Sequence, residues 1–120
     1  MKKLMTRQFE KWTLKQNIAF EELNKAMDEV ISGNYEASLG GNIYKKRIRF
    51  ENAGKSSSGR TIICYKQGSN AIYIHGFAKN EKDNLTSAEL AALKALAKIL
   101  LNMTEEQLNL AVRTGKFREI

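Results

Sequence analysis

The 120-residue chain reads as an α+β protein, with helical segments at both ends of a β-rich middle. Three observations carry that reading. Leu23, Ala26, Met27 and Val30 recur at helical spacing in the N-terminal third. Runs rich in Ile, Tyr and Phe, bounded by Gly, Ser and Asn, fill the middle. The last third opens two segments on capping-box patterns, Thr86 with Glu89 and Thr104 with Gln107.

Taken in order, Lys2–Met5 is predicted as a short leading strand. Phe9 and Trp12 share a helical face, and the stripe from Leu23 to Val30 predicts a second helix that Gly33 and Asn34 stop. Strands are expected over Asn42–Phe50, Arg60–Lys66 and Ala71–Phe77, with a tight reversal around Gly68. The polar, Gly/Ser-rich stretch Glu51–Gly59 is expected to be an exposed connection. Leu90, Leu93, Ala97 and Leu100 then line one helical stripe, Gly115 ends a shorter helix, and Lys116–Ile120 is a candidate edge strand. The order ααβββαα, without repeat or linker, predicts one domain over residues 1–120 built on an antiparallel sheet.

Composition narrows the function. Hydrophobic content of 42% with 28% charge argues against disorder. One cysteine, Cys64, excludes an internal disulfide and suits a reducing cytoplasm, where it is expected as a small core residue. No secretory leader or membrane-spanning stretch is expected. With a single histidine, His75, there is no usual zinc spacing, and GKSSSG places its lysine wrongly for a phosphate loop. No metal or other cofactor is expected. Chemistry falls to lysine, arginine, tyrosine, asparagine or carboxylates.

The charge is concentrated. Between Leu39 and Lys66 stand seven basic residues (Lys45, Lys46, Arg47, Arg49, Lys55, Arg60 and Lys66) against Glu51 alone, so this segment holds +6 of the formal +7. Charge localised in this way predicts a polyanion-binding surface. Strand alternation puts Ile48 and Phe50 toward the core and Lys45, Arg47 and Arg49 on the other face. Three like charges along about 13 Å of strand repel one another, and an anionic partner relieves that repulsion. The competing reading is a solvated face whose cations blunt a sheet edge. Residues 54–60, GKSSSGR, suggest a backbone-amide cradle for phosphate, and Lys79 to Lys82 gather where a strand leaves the sheet. If Tyr73, His75 and Phe77 share a face, His75 either touches nucleic acid or fills a half-buried position, and the structural reading is favoured. Phe9 and Trp12 are expected to pack rather than to stack on bases.

Together GGNIYKKRI, GKSSSGRTII and YIHGFAKNEKDNL, followed by the helix ELAALKALAKILL, resemble the RelE-type toxins of bacterial toxin–antitoxin modules, near the HigB-like branch of the RelE/ParE superfamily. The resemblance covers Phe9 to Ile120. It implies an antiparallel sheet with helices on one side and a basic concave face. It also implies a toxin that enters the ribosome and cuts mRNA, inhibiting translation. The implied partners are a cognate antitoxin, with a helix-turn-helix protein expected, and operator DNA reached only through the antitoxin complex. On this resemblance Lys45, Arg47, Arg60 and Lys79 are the catalytic set, and Lys46, Arg49, Lys55 and Lys82 contact RNA. Four departures stand out. Ser56, Ser57, Ser58 and Gly59 replace a loop that more often reads GKxGG, and His75 occupies a position more often aromatic. Asn80 stands where several relatives carry arginine, and the relatives' late catalytic tyrosine has no clear counterpart.

Such a cluster suits internal transfer on RNA, stabilising charge on the attacked phosphate. Crowded cations are expected to lower a lysine toward use as a base. Lys45 is the leading base candidate, Arg47 and Arg60 hold the phosphate, and Lys79 or Lys55 serves as acid or charge stabiliser. Two alternatives stay open: a ParE-like toxin acting on DNA gyrase, and an RNA-binding module without chemistry.

Overall fold

The structure is a computed structural model that describes residues 1–52, 55–82 and 84–120, with backbone only at 51, 52 and 55–57. In chain order the elements are β1 (Lys3–Thr6), α1 (Arg7–Gln16), α2 (Phe20–Ile31), β2 (Ala37–Gly40), β3 (Ile43–Asn52), β4 (Lys55–Tyr65), β5 (Ala71–Ala78), α3 (Ser87–Leu101), α4 (Glu105–Arg113) and β6 (Phe117–Glu119). They make one six-stranded sheet in the order β2-β3-β4-β5-β1-β6.

The central pairs are antiparallel, while β1 runs parallel to β5 and antiparallel to the closing β6. The leading and closing strands expected from sequence therefore form, side by side. The expected run of three strands gains β2, a four-residue strand whose low apolar content left no signal.

Period-two alternation divides the core into two clusters. Leu4, Ile43, Ile62, Cys64 and Ile72 point to the face covered by α3 and α4, where Leu93, Ala97, Leu100 and Leu108 meet them. Met5, Ile48, Phe50, Ile63 and Tyr73 point to the opposite face, covered by Phe9 of α1 and Leu23, Ala26, Met27 and Val30 of α2. Helices thus cover both faces rather than the one side expected. A sheet whose strands are buried on both faces needs a layer on each.

One correction concerns the basic hairpin. The exposed connection expected over Glu51–Gly59 is mostly strand: β3 and β4 pair continuously from Ile43↔Cys64 to Asn52↔Lys55. Ser56, Ser57, Ser58 and Gly59 are committed to that ladder, so the described part of the expected cradle is extended strand, and Gly54 lies outside the described residues. A small polar run can follow a strong partner strand into a sheet, because ladder hydrogen bonds are independent of side chains.

A β-bulge lies between β4 and β5. Ile62 pairs with His75 but Ile63 with Tyr73, leaving Ile74 as the extra residue. Alternation is interrupted there, so Tyr73 faces α1 and α2 while His75 and Phe77 face the other side. Buried Tyr73 stacks on Phe9 at 4.5 Å and donates its hydroxyl to the Leu23 carbonyl at 2.7 Å. Phe9 is core, as expected, and Cys64 is wholly buried, its thiol pushed up to about 12 by burial.

Candidate nucleic-acid interface

The register of the three central strands builds a small lattice on the α3-side face. Lys45, Ile62 and His75 lie in one row across β3, β4 and β5. Arg47, Arg60 and Phe77 form the next. Arg49 pairs with Ser58, whose carbonyl accepts from the Lys79 N–H at 3.2 Å, which extends a third row to Lys79. Neighbouring strands lie about 4.8 Å apart and same-face residues about 6.6 Å apart along a strand. Four of the predicted cations, Lys45, Arg47, Arg49 and Arg60, thus share a patch on one face, with Lys79 at its rim.

The cations differ in how they are held. Arg60 Nε forms an ion pair with the Glu36 carboxylate at 2.6 Å, and Lys45 Nζ lies 3.8 Å from the other oxygen of that group. Their side chains are 13% and 15% exposed, so they run along the sheet toward Glu36. Arg47, Arg49 and Lys79 are exposed, and among the described residues no carboxylate lies within ion-pair distance of them. The like-charge crowding expected around Lys45 is therefore offset by a carboxylate.

Glu36 is the residue sequence reasoning missed. It precedes β2, nine residues from Lys45 and 24 from Arg60, with no helical or strand spacing to link them. The β2–β3 register joins them: Ala37 pairs with Lys45, and the Glu36 N–H donates to the Lys45 carbonyl at 2.9 Å. β2 stops pairing at Lys45, so the outer edge of β3 beyond it has no partner strand among the described residues. Arg47 and Arg49 stand along that open edge, where charge also discourages pairing with another chain.

The remaining candidates are dispersed. Lys46 lies on the α2 side, donating to the Asn34 carbonyl at 3.0 Å and 3.7 Å from Glu29. Lys82 pairs with Glu89 and stands 5.9 Å from the centre of the Phe77 ring. The Lys55 side chain lies outside the described residues. Lys79 to Glu81 form a turn into α3, in which the Ala78 carbonyl accepts from both the Glu81 and Lys82 N–H groups.

His75 is half-buried on the basic face. Burial lowers its imidazole below the ordinary value, Glu89 opposes that and Lys82 adds to it. The bulge that put it there could not be read from a uniform alternation. On the opposite face Trp12 lies flat over Gly76 and close to Gly59, so it packs as expected rather than meeting a ligand. Among the described residues, no group of three or more His, Cys, Asp or Glu is placed to hold a metal.

A family model described as RelE toxin of the RelE/RelB toxin–antitoxin system matches residues 1–120. The chain belongs to the RelE toxin family. It is thus a toxin of a toxin–antitoxin system, and this membership implies a cognate antitoxin. No curated protein matches the chain. The α+β architecture, a mostly antiparallel sheet with four helices, agrees with the RelE family. No helix among the described residues is long and apolar enough to cross a membrane.

Proposed function

We propose that this RelE-family toxin is a ribosome-dependent mRNA endoribonuclease acting in the cytoplasm. The observation that carries the proposal is the facing of Arg47 and Arg60 on adjacent strands, flanked by Lys45, Arg49 and Lys79. Directly opposed residues stand about 5 Å apart at their backbones. Their side chains leave the same face from opposed positions, and each guanidinium carries the forked donors that suit a phosphate, which accepts bidentate hydrogen bonds well.

Cleavage proceeds by internal transfer. The 2′-oxygen loses its proton to a base and attacks the adjacent phosphorus, the P–O5′ bond breaks, and the 5′-oxygen receives a proton. The products are a 2′,3′-cyclic phosphate and a free 5′-hydroxyl. Arg47 and Arg60 stabilise charge developing on the phosphate oxygens, a contribution of about 10²–10³-fold for a well-placed donor. Lys45 is the base candidate, and Lys79, at the rim, is the candidate acid or charge stabiliser. Alignment of the 2′-oxygen with the leaving group is supplied by the ribosome, and orientation of this kind contributes several kcal/mol. The cognate antitoxin, expected as a helix-turn-helix protein, would neutralise the toxin and carry it to operator DNA.

The test is primer extension on mRNA in a purified translation system with and without ribosomes. Cuts are expected only with ribosomes, falling about 100-fold or more in Arg60→Ala and Lys45→Ala. Intact mRNA in both conditions, or wild-type cutting by both variants, overturns the proposal.

A further inference from the structure

Arg60 and Lys45 already hold an anion. The Glu36 carboxylate pairs with Arg60 Nε at 2.6 Å through one oxygen and faces Lys45 Nζ at 3.8 Å with the other. A carboxylate and a phosphate oxygen compete for the same guanidinium donors. Glu36 comes from the short irregular segment before β2, at the sheet's edge, and its side chain is 36% exposed. That segment is tied in place on the opposite face, where Lys46 donates to the Asn34 carbonyl at 3.0 Å and Asn34 donates to Glu29 at 3.1 Å. Its backbone is hydrogen-bonded to β3 at Lys45. The carboxylate is therefore presented to the basic face by an anchored backbone, at the end of a side chain that can rotate away.

We infer that Glu36 is an internal stand-in for the substrate phosphate, occupying Arg60 and Lys45 until a well-aligned phosphate displaces it. This rests on the reading of the basic face as the RNA site and assigns Glu36 as its specificity-determining residue. Arg47, Arg49 and Lys79, exposed and without a carboxylate partner among the described residues, make the first contacts with the RNA backbone. Arg60 and Lys45 join only when the phosphate outcompetes Glu36, which a loosely held strand does poorly and a strand fixed on the ribosome does well. Removing the carboxylate then increases binding to free RNA, the reverse of what loss of a merely structural ion pair produces.

The experiment compares wild type with Glu36→Gln and Glu36→Ala. Glu10→Gln serves as a control that makes the same change in net charge at the distant Glu10–Arg118 pair. Binding is read by fluorescence anisotropy with a 2′-O-methyl oligoribonucleotide, which cannot be cleaved. Both Glu36 variants are expected to bind about tenfold more tightly, as for one charge-assisted hydrogen bond released to the ligand, and Glu10→Gln to bind as wild type. In parallel, the Arg60 Nε–H resonance is followed during titration with inorganic phosphate. It should shift at lower phosphate concentration in Glu36→Gln than in wild type. Unchanged or weaker RNA binding in both variants, or the same phosphate response at Arg60 with and without Glu36, overturns the inference. The phosphate titration needs no cleavage and no ribosome, so a failure of the endoribonuclease reading in primer extension is distinguishable from a failure here.

Discussion

Gly76 shows how one residue couples the two faces of the sheet. A Cβ at this position would stand 2.4 Å from Trp12 Cε3, well inside contact distance, so the indole rests directly on the backbone. Trp12 in turn meets Phe50 edge-on at 6.2 Å and Phe9 at 5.5 Å. Gly76→Ala must displace the ring from that nest, and overpacking of this kind costs about 1–3 kcal/mol. Chemical denaturation should show the loss as a lower midpoint with unchanged slope; an unchanged midpoint would mean that the ring is free to move. His75 and Phe77, immediately beside Gly76, face the other way, so a shift of this strand also moves the basic face. The sequence predicted packing for Trp12 and Phe9 from residue type. Which strand they packed on, and that a glycine was needed there, required the fold.

Among the elements, α3 and α4 open with the same device, closed by a carboxylate in one and by an amide in the other. Thr86 accepts from the Glu89 N–H at 3.1 Å, and the Glu89 carboxylate accepts from the Thr86 N–H at 2.8 Å. Thr104 and Gln107 repeat the pattern at 3.1 and 2.8 Å. Both starts were legible in the sequence because a capping box is local, spanning four residues. Lys82 was not legible as its partner. Its ammonium and the Thr86 N–H hold the Glu89 carboxyl down at about 2, from an ordinary 4.5. A carboxyl depressed on folding stabilises the fold fully above its ordinary value, and that contribution is lost as pH falls from there to the folded value. Glu89→Gln should therefore flatten the decline in stability between pH 4.5 and about 2 relative to wild type. Denaturant titrations across that range, followed by circular dichroism, read the difference. Coincident curves would mean that the Lys82 pairing is absent in solution. Gln107 already gives α4 a box that carries no such titration.

For the whole molecule, the question is where its +7 acts. Counting along the chain puts +6 on residues 39–66, but folding redistributes that figure. Lys46 turns to the α2 side, and Glu36, from outside the segment, comes in against Lys45 and Arg60. On the basic face, the cations that stay open among the described residues are Arg47, Arg49 and Lys79. Single-stranded nucleic acid releases counterions as its phosphates are neutralised, so binding should weaken linearly in logarithmic salt, by about 0.7 per phosphate contacted. Arg47→Ala should reduce that slope by about 0.7, whereas Lys11→Ala, exposed on α1, should leave it unchanged. Equal slopes for wild type and Arg47→Ala would remove Arg47 from the interface.

The sequence by itself determined the helices, every strand but β2 in outline, the two capping boxes and the basic row of β3. All of these follow from periodicity and from interactions within a few residues, which depend on nothing distant. The tertiary structure alone decided that β4 begins at Lys55 rather than at Arg60, because pairing with β3 carries a weak strand along. It also decided, through the bulge at Ile74, that His75 faces the cations and Tyr73 does not. Above all it decided that Glu36 stands among them. That contact is made across the β2–β3 register, between residues with no spacing to announce it, and long-range register is set by cooperative pairing of whole strands.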